Sequence, residues 1–538
     1  MNSSRFRAVV LTAALLTASL GAQTILHFHL NTPRVMQVQG LRQRVQNGQL
    51  RLSLDGFLQL ALKNDTQILL LSLNEDSARY GVIAANSPFD PALTASFGSS
   101  RAIQPQRTQT SGASTLSSLD QTSAIGFTQL LPTGQTVQAS FGTTRDSSNS
   151  LFSTFNPSLA GDLGFSFAQP LLQNRGNLQN KVPQEIAKTQ VLVVGDQTRA
   201  SIASEIVTDA DAYWNAVDAA QQVKVQQEGL KVAQQSYARN AEMLKLGALA
   251  PGDIFTSEAQ VAQDQTSLLQ AQSRYDQDLD QIRRIIGADI DPVARQATIV
   301  LDENPAGETP TLPALSLQQA TKLALSHRPE LDALQRQQIE NSFSLAKAKD
   351  LLRPQLSLVG SYGSNALAGN PIATTTALGV TNGGQATGFS NALGQLFGFG
   401  YPTYGFSLQL TLPLRNSNAE SALANSLLAQ TSTSYQLRNE EQQVRQDVKT
   451  ADIQLRSEVQ VVASAIKAEQ LTQQYVDAQN QEYILGTTTL FQLLQAEVQL
   501  SSAESSVVSA YTSYQTAKIA YERAIWTLLP SLHLTVAP

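Results

Sequence analysis

Four short segments of the chain alternate between large apolar residues and small or polar ones. The apolar positions are Leu93, Ala95 and Phe97, then Leu163, Phe165 and Phe167, then Leu356, Leu358 and Tyr362, and finally Tyr404, Phe406, Leu408, Leu410 and Leu412. Because successive side chains of a β-strand point to opposite faces, a period of two predicts a two-faced strand. The pattern therefore predicts four strands, with Pro91 and Pro354 at the start of the first and third.

Gly, Ser, Thr and Asn dominate residues 99–162 and 363–402, a composition that favours solvated loops. Within the first of these segments, residues 125–127 and 137–141 flank Pro132-Thr133-Gly134 in a hairpin-like passage. We expect this hairpin to extend a barrel beyond the membrane surface.

Long helical patterns occupy residues 184–246 and 418–485, and each is followed by a tight turn and another helix. The second pattern carries an apolar stripe in steps of three and four, at Val444, Val448, Ala451, Leu455, Val459, Val462 and Ile466. About 60 residues at 1.5 Å each predict a rod on the order of 90 Å long. Such rods do not fit one globular core, so we expect them to pack laterally against one another.

The two halves of the chain repeat one pattern at a constant offset. Leu52-Ser53-Leu54 recurs as Leu315-Ser316-Leu317, Leu60-Ala61-Leu62 as Leu323-Ala324-Leu325, and Pro91 as Pro354, each 263 positions later (315−52, 323−60 and 354−91). Agreement at three separated points without a gap predicts two tandem copies of one structural unit. The predicted boundaries are residues 51–290 for the first repeat, 291–313 for a Pro-rich connector, 314–530 for the second repeat and 531–538 for a C-terminal tail.

The N-terminal residues have the pattern of an export signal. Arg5 and Arg7 precede an apolar stretch over residues 8–20, and Gly21 and Ala22 follow it. Since this stretch is too short for a typical membrane span, residues 1–22 are predicted to be a signal peptide and residues 23–50 a leader. No other stretch has the roughly 20 apolar residues of a spanning helix, so entry into a membrane would require strands.

Composition excludes several classes of function. The 538 residues include 37 basic and 43 acidic ones, giving a net charge of −6 without a long run of one sign, and nucleic-acid binding is not expected. The absence of cysteine excludes disulfides, thiolate metal sites and a lipid anchor on cysteine. No phosphate loop, catalytic triad or metal-ligand spacing is visible, and the histidines, His27, His29, His327 and His533, are scattered. We therefore expect no enzyme activity, no cofactor and no metal.

Four strands per chain are too few to close a barrel, because closure needs about eight. Unpaired strand edges cannot be satisfied in hydrocarbon, so several chains must complete one barrel. Two chains are the minimum, and three would give twelve strands with an apolar face toward lipid and a polar face toward water.

Three passages resemble TolC-like outer-membrane efflux proteins, and the resemblance covers about residues 52–529. They are Ala168-Gln169-Pro170-Leu171-Leu172 at the end of a strand, residues 246–254 (LGALAPGDI) at one helical turn, and residues 485–496 (LGTTTLFQLLQA) at the other. The resemblance implies a mixed α and transmembrane β fold: a homotrimer whose 12-stranded β-barrel, four strands per chain, continues into a long α-helical periplasmic tunnel. It further implies an outer-membrane location and partners comprising a periplasmic adaptor and an inner-membrane transporter, for efflux or type I secretion.

The resemblance also assigns candidate residues at the two helical turns. Gly247, Ala248, Leu249, Gly486 and Thr487 are predicted to form the tunnel tip, the adaptor contact and the hinge of opening. Glycine also ends helices in a left-handed conformation, which by itself explains Gly247 and Gly486. Asp253, Gln492 and Gln495 are predicted to line the aperture, although an acid at a helix start is stabilised by the helix dipole in any case.

Two alternatives come from other classes of protein. A periplasmic coiled-coil adaptor or scaffold would account for the long helices but leaves the amphipathic strands without a role. A single-chain diffusion porin needs many more strands than the four found.

The aperture predicts an electrical property of the channel. Some members of the family have paired aspartates where Gln492 and Gln495 stand, and amides offer hydrogen bonds without charge. We expect weak cation selectivity and weak block by multivalent cations in single-channel recordings. A strong cation preference that low pH abolishes would contradict this.

Overall fold

The computed structural model describes residues 35, 37–105, 114–150, 153–247, 250–304, 309–372, 374–376, 379–381 and 387–532. The predicted signal peptide lies outside these residues. So do part of the predicted leader, residues 305–308 of the connector, residues 533–538 of the tail, and His27, His29 and His533.

Helices make up most of the described chain. They are α1 (Leu41–Arg44), α2 (Leu54–Asn64), α3 (Thr66–Asn86), α4 (Asn177–Lys245), α5 (Asp253–Ile285), α6 (Leu317–His327), α7 (Pro329–Leu351), α8 (Phe389–Phe397), α9 (Ser417–Ile484), α10 (Leu490–Ala524) and α11 (Leu528–Ser531). The strands are β1 (Val45–Gln46), β2 (Gln49–Leu52), β3 (Ala92–Pro105), β4 (Thr115–Leu130), β5 (Thr136–Ser148), β6 (Phe155–Pro170), β7 (Thr298–Leu301), β8 (Gln355–Pro371), β9 (Thr374–Thr376), β10 (Gly379–Thr381) and β11 (Pro402–Thr411).

Two very long helices form the frame of the molecule. α4 has 69 residues and α9 has 68, so each is roughly 100 Å long at 1.5 Å per residue. α4 contacts α3 and α7 as well as α5 and α10, while α9 contacts α6, α7 and α10. The long helices therefore pack laterally, as the sequence predicts.

The apolar stripe on α9 is the seam of this packing. Val444, Val448, Leu455 and Val462 are buried, and Ala451, Val459 and Ile466 lie against the same cluster. Their partners include small and aromatic residues of α10, namely Ala510, Tyr514, Ala517 and Tyr521. The spacing of the stripe therefore predicted the buried face of this helix correctly.

A second apolar core lies where α2, α4, α5 and a small sheet meet. The order of this sheet is β1-β2-β7, and β2 pairs in parallel with β7. Phe57 and Tyr213 are fully buried with ring centroids 5.4 Å apart. The Tyr213 hydroxyl contacts the carbonyl oxygen of Leu52 at 2.9 Å and the Glu303 carboxylate. This core ties the start of the first half of the chain to its end.

The large sheet has six antiparallel strands in the order β11-β8-β6-β5-β4-β3. The prediction of four barrel strands per chain is therefore wrong. The hairpin-like passage forms β4 and β5, which pair with β3 and β6 along most of their length and widen the sheet sideways. Much of residues 99–162 and 363–402, predicted as loops, is also strand or helix. Small polar residues suit the polar face of a barrel strand as well as a loop, so composition alone did not separate the two.

Strand register gives the sheet one apolar and one polar face. One row of directly paired residues across the six strands is Leu93, Phe127, Ala139, Phe165, Tyr362 and Tyr404, and the neighbouring row on the other face is Thr94, Gly126, Ser140, Gly164, Gly363 and Thr403. Many of the large apolar side chains are exposed, with Phe406 at 87%. The alternation predicted from sequence therefore holds around these rows, whereas further along the strands the same face carries Arg101, Gln121 and Arg145.

Helix α8 covers part of the apolar face. Ala392 and Leu396 of α8 are buried against Ala366 and Ala368 of β8, which share this face with Tyr362 because they lie at even spacings from it. The Phe397 ring stacks on Phe141 with centroids 6.4 Å apart. Within the described residues, no helix combines the length and the apolar character that crossing a membrane requires.

Candidate functional site

The two turns at the far end of the long helices, together with the first turns of α5 and α10, are called the helical tip below. Gly247 and Gly486 each follow the C-cap residue of a long helix and have positive φ, 74° and 75°. The Gly486 N–H donates to Tyr483 O and the Thr487 N–H to Glu482 O, which is the hydrogen-bond pattern of a Schellman motif. A Cβ at either glycine would meet open space, so backbone conformation rather than packing requires glycine at these two positions.

The other residues predicted at the tip have different positions. Ala248 and Leu249 lie outside the described residues. Thr487 is exposed, and its hydroxyl donates to Glu482 O at 3.0 Å, which completes the helix cap. The structure therefore gives Gly247, Gly486 and Thr487 a capping role, and adaptor contact stays a prediction for them.

The predicted aperture residues follow these turns. Asp253 is the first residue of α5 and is exposed. Gln492 forms a capping box with Thr489, in which the Thr489 N–H donates to Gln492 Oε1 at 3.2 Å. Gln495 lies one turn further along α10 and is also exposed. Gln492 is thus held by its own helix start, and the lining of an aperture by these three residues stays a prediction.

A buried polar chain joins the two helical hairpins just inside the tip. The Tyr483 hydroxyl of α9 donates to Asn240 Oδ1 of α4 at 3.0 Å, and Asn240 Nδ2 donates to Ser257 Oγ of α5 at 2.9 Å. Asn240 is fully buried. Because an unpaired buried polar group is costly, these three residues strongly favour one relative position of the hairpins. We call them the tip hydrogen-bond chain.

Charged groups surround the tip hydrogen-bond chain. Burial raises the pKa of the Tyr483 hydroxyl, Arg239 lowers it and Asp253 raises it further. The Arg239 guanidinium lies over the Tyr483 ring at 5.8 Å and donates to Asn480 Oδ1 at 3.2 Å. Burial also raises the pKa of Glu497, which accepts from the Ser236 hydroxyl at 3.2 Å.

The sequence alone did not reveal these contacts. Tyr483 lies 243 residues from Asn240 in the chain, and no motif marks Tyr483, Asn240 or Ser257. The only available sign was a set of polar residues close to two turns already singled out. Their partners depend on how the hairpins are aligned, which sequence spacing does not specify.

Large apolar side chains are exposed around the same two turns. They are Leu246, Phe255, Ile484, Leu485 and Phe491, with exposures from 66% to 77%. A contiguous exposed apolar surface on a protein commonly marks a contact with a partner. We call these five residues the tip apolar patch.

Comparisons with known proteins agree with this architecture. Residues 320–525 match the sequence model of the family described as "Outer membrane efflux protein". A search of curated proteins gave no match. The match thus covers most of the second half of the chain.

Solved structures match nearly the whole chain. The CmeC outer membrane channel of Campylobacter jejuni is 14% identical with a TM-score of 0.61, covering 93% of this chain and 94% of that one. VceC of Vibrio cholerae is 14% identical at 0.61, covering 88% and 95%, and the open-state MtrE channel of Neisseria gonorrhoeae is 17% identical at 0.58, covering 92% and 98%. The fold is therefore that of outer-membrane channel proteins, and the predicted resemblance to TolC-like efflux proteins is confirmed.

The tip hydrogen-bond chain predicts a local change in stability. Tyr483→Phe removes the hydroxyl and leaves Asn240 Oδ1 without its donor, at a cost of about 1–3 kcal/mol. We expect amide hydrogen exchange around residues 483–490 to become about 5- to 150-fold faster, since local opening then costs less free energy.

Tyr475→Phe is the matched control, because Tyr475 lies on the same helix and is 46% exposed. It should leave exchange at the tip unchanged. Equal protection in Tyr483→Phe and the unaltered protein would show that these hydrogen bonds do not hold the tip together.

Proposed function

We propose that the protein is an outer-membrane channel subunit of a tripartite efflux pump or a type I secretion system, and that it acts as a passive conduit without catalysis. The observation that best supports this proposal is the exposed apolar face of the six-stranded sheet. The strands of this sheet lead directly into helices of roughly 100 Å. An apolar outer face and a polar inner face are what a barrel in lipid requires. The helices then extend away from the membrane into the periplasm.

Three chains are proposed to close the barrel. The edge strands β3 and β11 each have one neighbour within the sheet of the described residues. Three copies of six strands make eighteen rather than the twelve expected from sequence. Barrels of 16–18 strands enclose an aqueous channel, which fits a conduit. A tunnel built from the long helices of the three chains would continue this channel.

The two halves of the chain are proposed to be tandem copies of one unit. α2 begins at Leu54 and α6 at Leu317, while α3 begins at Thr66 and α7 at Pro329, so both pairs keep the offset of 263 (317−54 and 329−66). Ser53 and Ser316 cap the first pair through their side chains. The sheet departs from this symmetry, because among the described residues the first half contributes four strands to the large sheet and the second half two, with β9 and β10 forming a separate pair.

We place the adaptor contact at the tip apolar patch. Its five residues surround Gly247 and Gly486 at the end of the hairpins that lies farthest along α4 and α9. An adaptor with complementary apolar side chains would bury this surface. Because the tip hydrogen-bond chain lies beside it, binding would also affect the positions of those three residues. An inner-membrane transporter would complete the assembly. The alternative of an adaptor or scaffold without a barrel gains no support, because it leaves the two-faced sheet unexplained.

The face assignment is tested by a pair of neighbouring substitutions. Phe165→Arg places a charge on the apolar face, at a cost of about 2–4 kcal/mol per chain near the middle of the bilayer. We expect fewer heat-modifiable trimers in the outer-membrane fraction and less insertion into planar bilayers.

Ser166→Arg places the same charge on the opposite face, one residue away, and should assemble normally. Equal assembly of both variants, or failure of Ser166→Arg alone, would rule out the proposed orientation. Recovery of the unaltered protein as a soluble periplasmic monomer would rule out the channel itself.

The strand count is tested by deletion of the inserted hairpin. Deleting residues 115–148 removes β4 and β5, and β3 and β6 run in opposite directions, so they can pair directly. We expect electron microscopy to show eighteen strands in the unaltered trimer and twelve in the variant, with barrel diameter reduced by about one third.

The matched control deletes β5 alone, residues 136–148. β4 and β6 run in the same direction, and a short connection cannot join parallel neighbours. This variant should form no trimers. A twelve-stranded barrel in the unaltered protein would overturn the proposed count.

A further inference from the structure

Three carboxyl groups converge in the core at the junction of α2, α3 and α4. They belong to Asp65, Glu205 and Asp209, and one oxygen of each lies within 4.8 Å of the others. Asp65 is 7% exposed and Asp209 is 2% exposed, and Glu205 is half-buried. We call these three residues the acidic cluster. Like charges at this separation repel strongly in a protein interior unless something compensates them.

Local structure fixes the direction of all three side chains. Asp65 joins α2 to α3, and its Oδ1 accepts from the Gln67 N–H at 3.2 Å to cap α3. Glu205 and Asp209 are one turn apart on α4 and so share a face of that helix. Ile68 and Ile206, which are close to these residues along α3 and α4, belong to the buried apolar core. The cluster is thus held in place by two helix ends and a buried helix face.

Two oxygens of the cluster have no partner. Asp65 Oδ2 and Asp209 Oδ2 are shielded from solvent and accept no hydrogen bond from the described residues. Burial, together with the charges of Asp65 and Glu205, raises the pKa of Asp209 to about 8, although Arg284 of α5 lowers it. Arg284 forms no ion pair with the cluster within the described part of the chain. The cluster therefore lacks a bound positive charge.

The second half of the chain has a cation at the matching position. The offset of 263 takes Asp65 to Arg328 (328−65). Both residues end one helix and precede the next with nearly the same backbone angles, φ −63° and ψ 123° against φ −69° and ψ 119°. Their N–H groups donate to Ala61 O and Ala324 O, which the same offset relates. The two side chains thus start from equivalent places in the fold.

Arg328 neutralises carboxylates in its half. It is 3% exposed, its guanidinium lies 3.4 Å from Asp447 and 3.5 Å from Glu330, and it donates to Ala524 O at 3.2 Å. In the first half a carboxylate replaces this guanidinium, although carboxylates of the facing helix remain. Among the described residues, no guanidinium therefore forms an ion pair at the junction where the three carboxyl groups meet.

We propose that the acidic cluster binds one hard divalent cation of the size of Ca²⁺ per chain, in the role that Arg328 fills in the second half. Calcium takes oxygen ligands at 2.3–2.6 Å, so oxygens around one ion lie within roughly 5 Å of each other, as these do. Mg²⁺ has shorter bonds and stricter geometry and fits this spacing less well. The ion would bridge the α2–α3 junction to α4, with water completing its coordination.

Calcium titration of the purified full-length trimer tests the proposal. After removal of divalent ions with a chelator, isothermal calorimetry with CaCl₂ should show one site per chain, with a dissociation constant of about 10⁻⁴–10⁻³ M. Calcium should also raise the thermal unfolding temperature, because it binds only the folded chain. Asp209→Asn should weaken binding at least tenfold, which is about 1.4 kcal/mol.

Two further variants separate this site from other calcium effects. Glu440→Gln removes a carboxylate near Arg328 in the second half and should leave calcium binding unchanged. Asp65→Arg copies the second half and should abolish the calcium response while keeping the unfolding temperature in chelator at or above that of the unaltered protein.

Absence of calcium-dependent heat and of a shift in unfolding temperature in the unaltered protein would overturn the proposal, whether or not any variant folds. Unchanged binding in a folded Asp209→Asn trimer would do the same. Channel conductance in planar bilayers is measured separately on the same samples. A normal conductance with no calcium response would leave the proposed channel function intact and remove only the ion site.

Discussion

Backbone hydrogen bonding at the edges of the six-stranded sheet is the constraint on which the assembly depends. Each edge strand exposes a row of N–H and C=O groups that water can satisfy but hydrocarbon cannot. In the proposed channel, the exposed apolar side chains on one face would hold the same sheet in lipid. Both demands would then be met by pairing the edge of one chain with the edge of the next, so that insertion and oligomerisation would be one process.

The helical part is stabilised by side-chain packing rather than by hydrogen bonds between strands. Its stability comes from apolar stripes, such as the one on α9, packed against neighbouring helices over a great length. Apolar seams tolerate sliding more readily than polar contacts do, because the hydrophobic effect has no direction. Directional side-chain hydrogen bonds between helices occur at several levels, from Gln222 and Ser505 to Tyr483, Asn240 and Ser257 near the tip. Small changes in the tip hydrogen-bond chain would therefore act on the relative position of the hairpin ends.

Much of the architecture was predictable from residue pattern. The long helices, the apolar stripe, the glycine caps at Gly247 and Gly486 and the four most regular strands all follow from short-range periodicity or backbone preference. Strands β4 and β5 were predicted only as an accessory hairpin, because their large apolar residues are sparse among Ser, Thr and Gln. Local pattern does not state which strands will be neighbours.

The polar sites were less predictable for a physical reason. Asp65 lies more than a hundred residues from Glu205, and the three carboxyl groups meet only after α3 and the sheet have turned the chain back on itself. Single acids on helices usually face solvent, so each looks ordinary alone. The offset of 263 matches Asp65 with Arg328 in the sequence. Only the structure shows that Asp65 packs beside the two carboxyl groups of α4.

The parallel pairing of β2 with β7 has a consequence for the order of folding. These four-residue strands are separated by almost the whole first half of the chain, from Leu52 to Thr298, and closing so large a loop carries a high entropic cost that only later contacts recover. The pair should thus form late, once the intervening helical hairpin has brought its ends together. Until then β2 is paired only with its neighbour β1, and its other edge stays open to pairing with another chain.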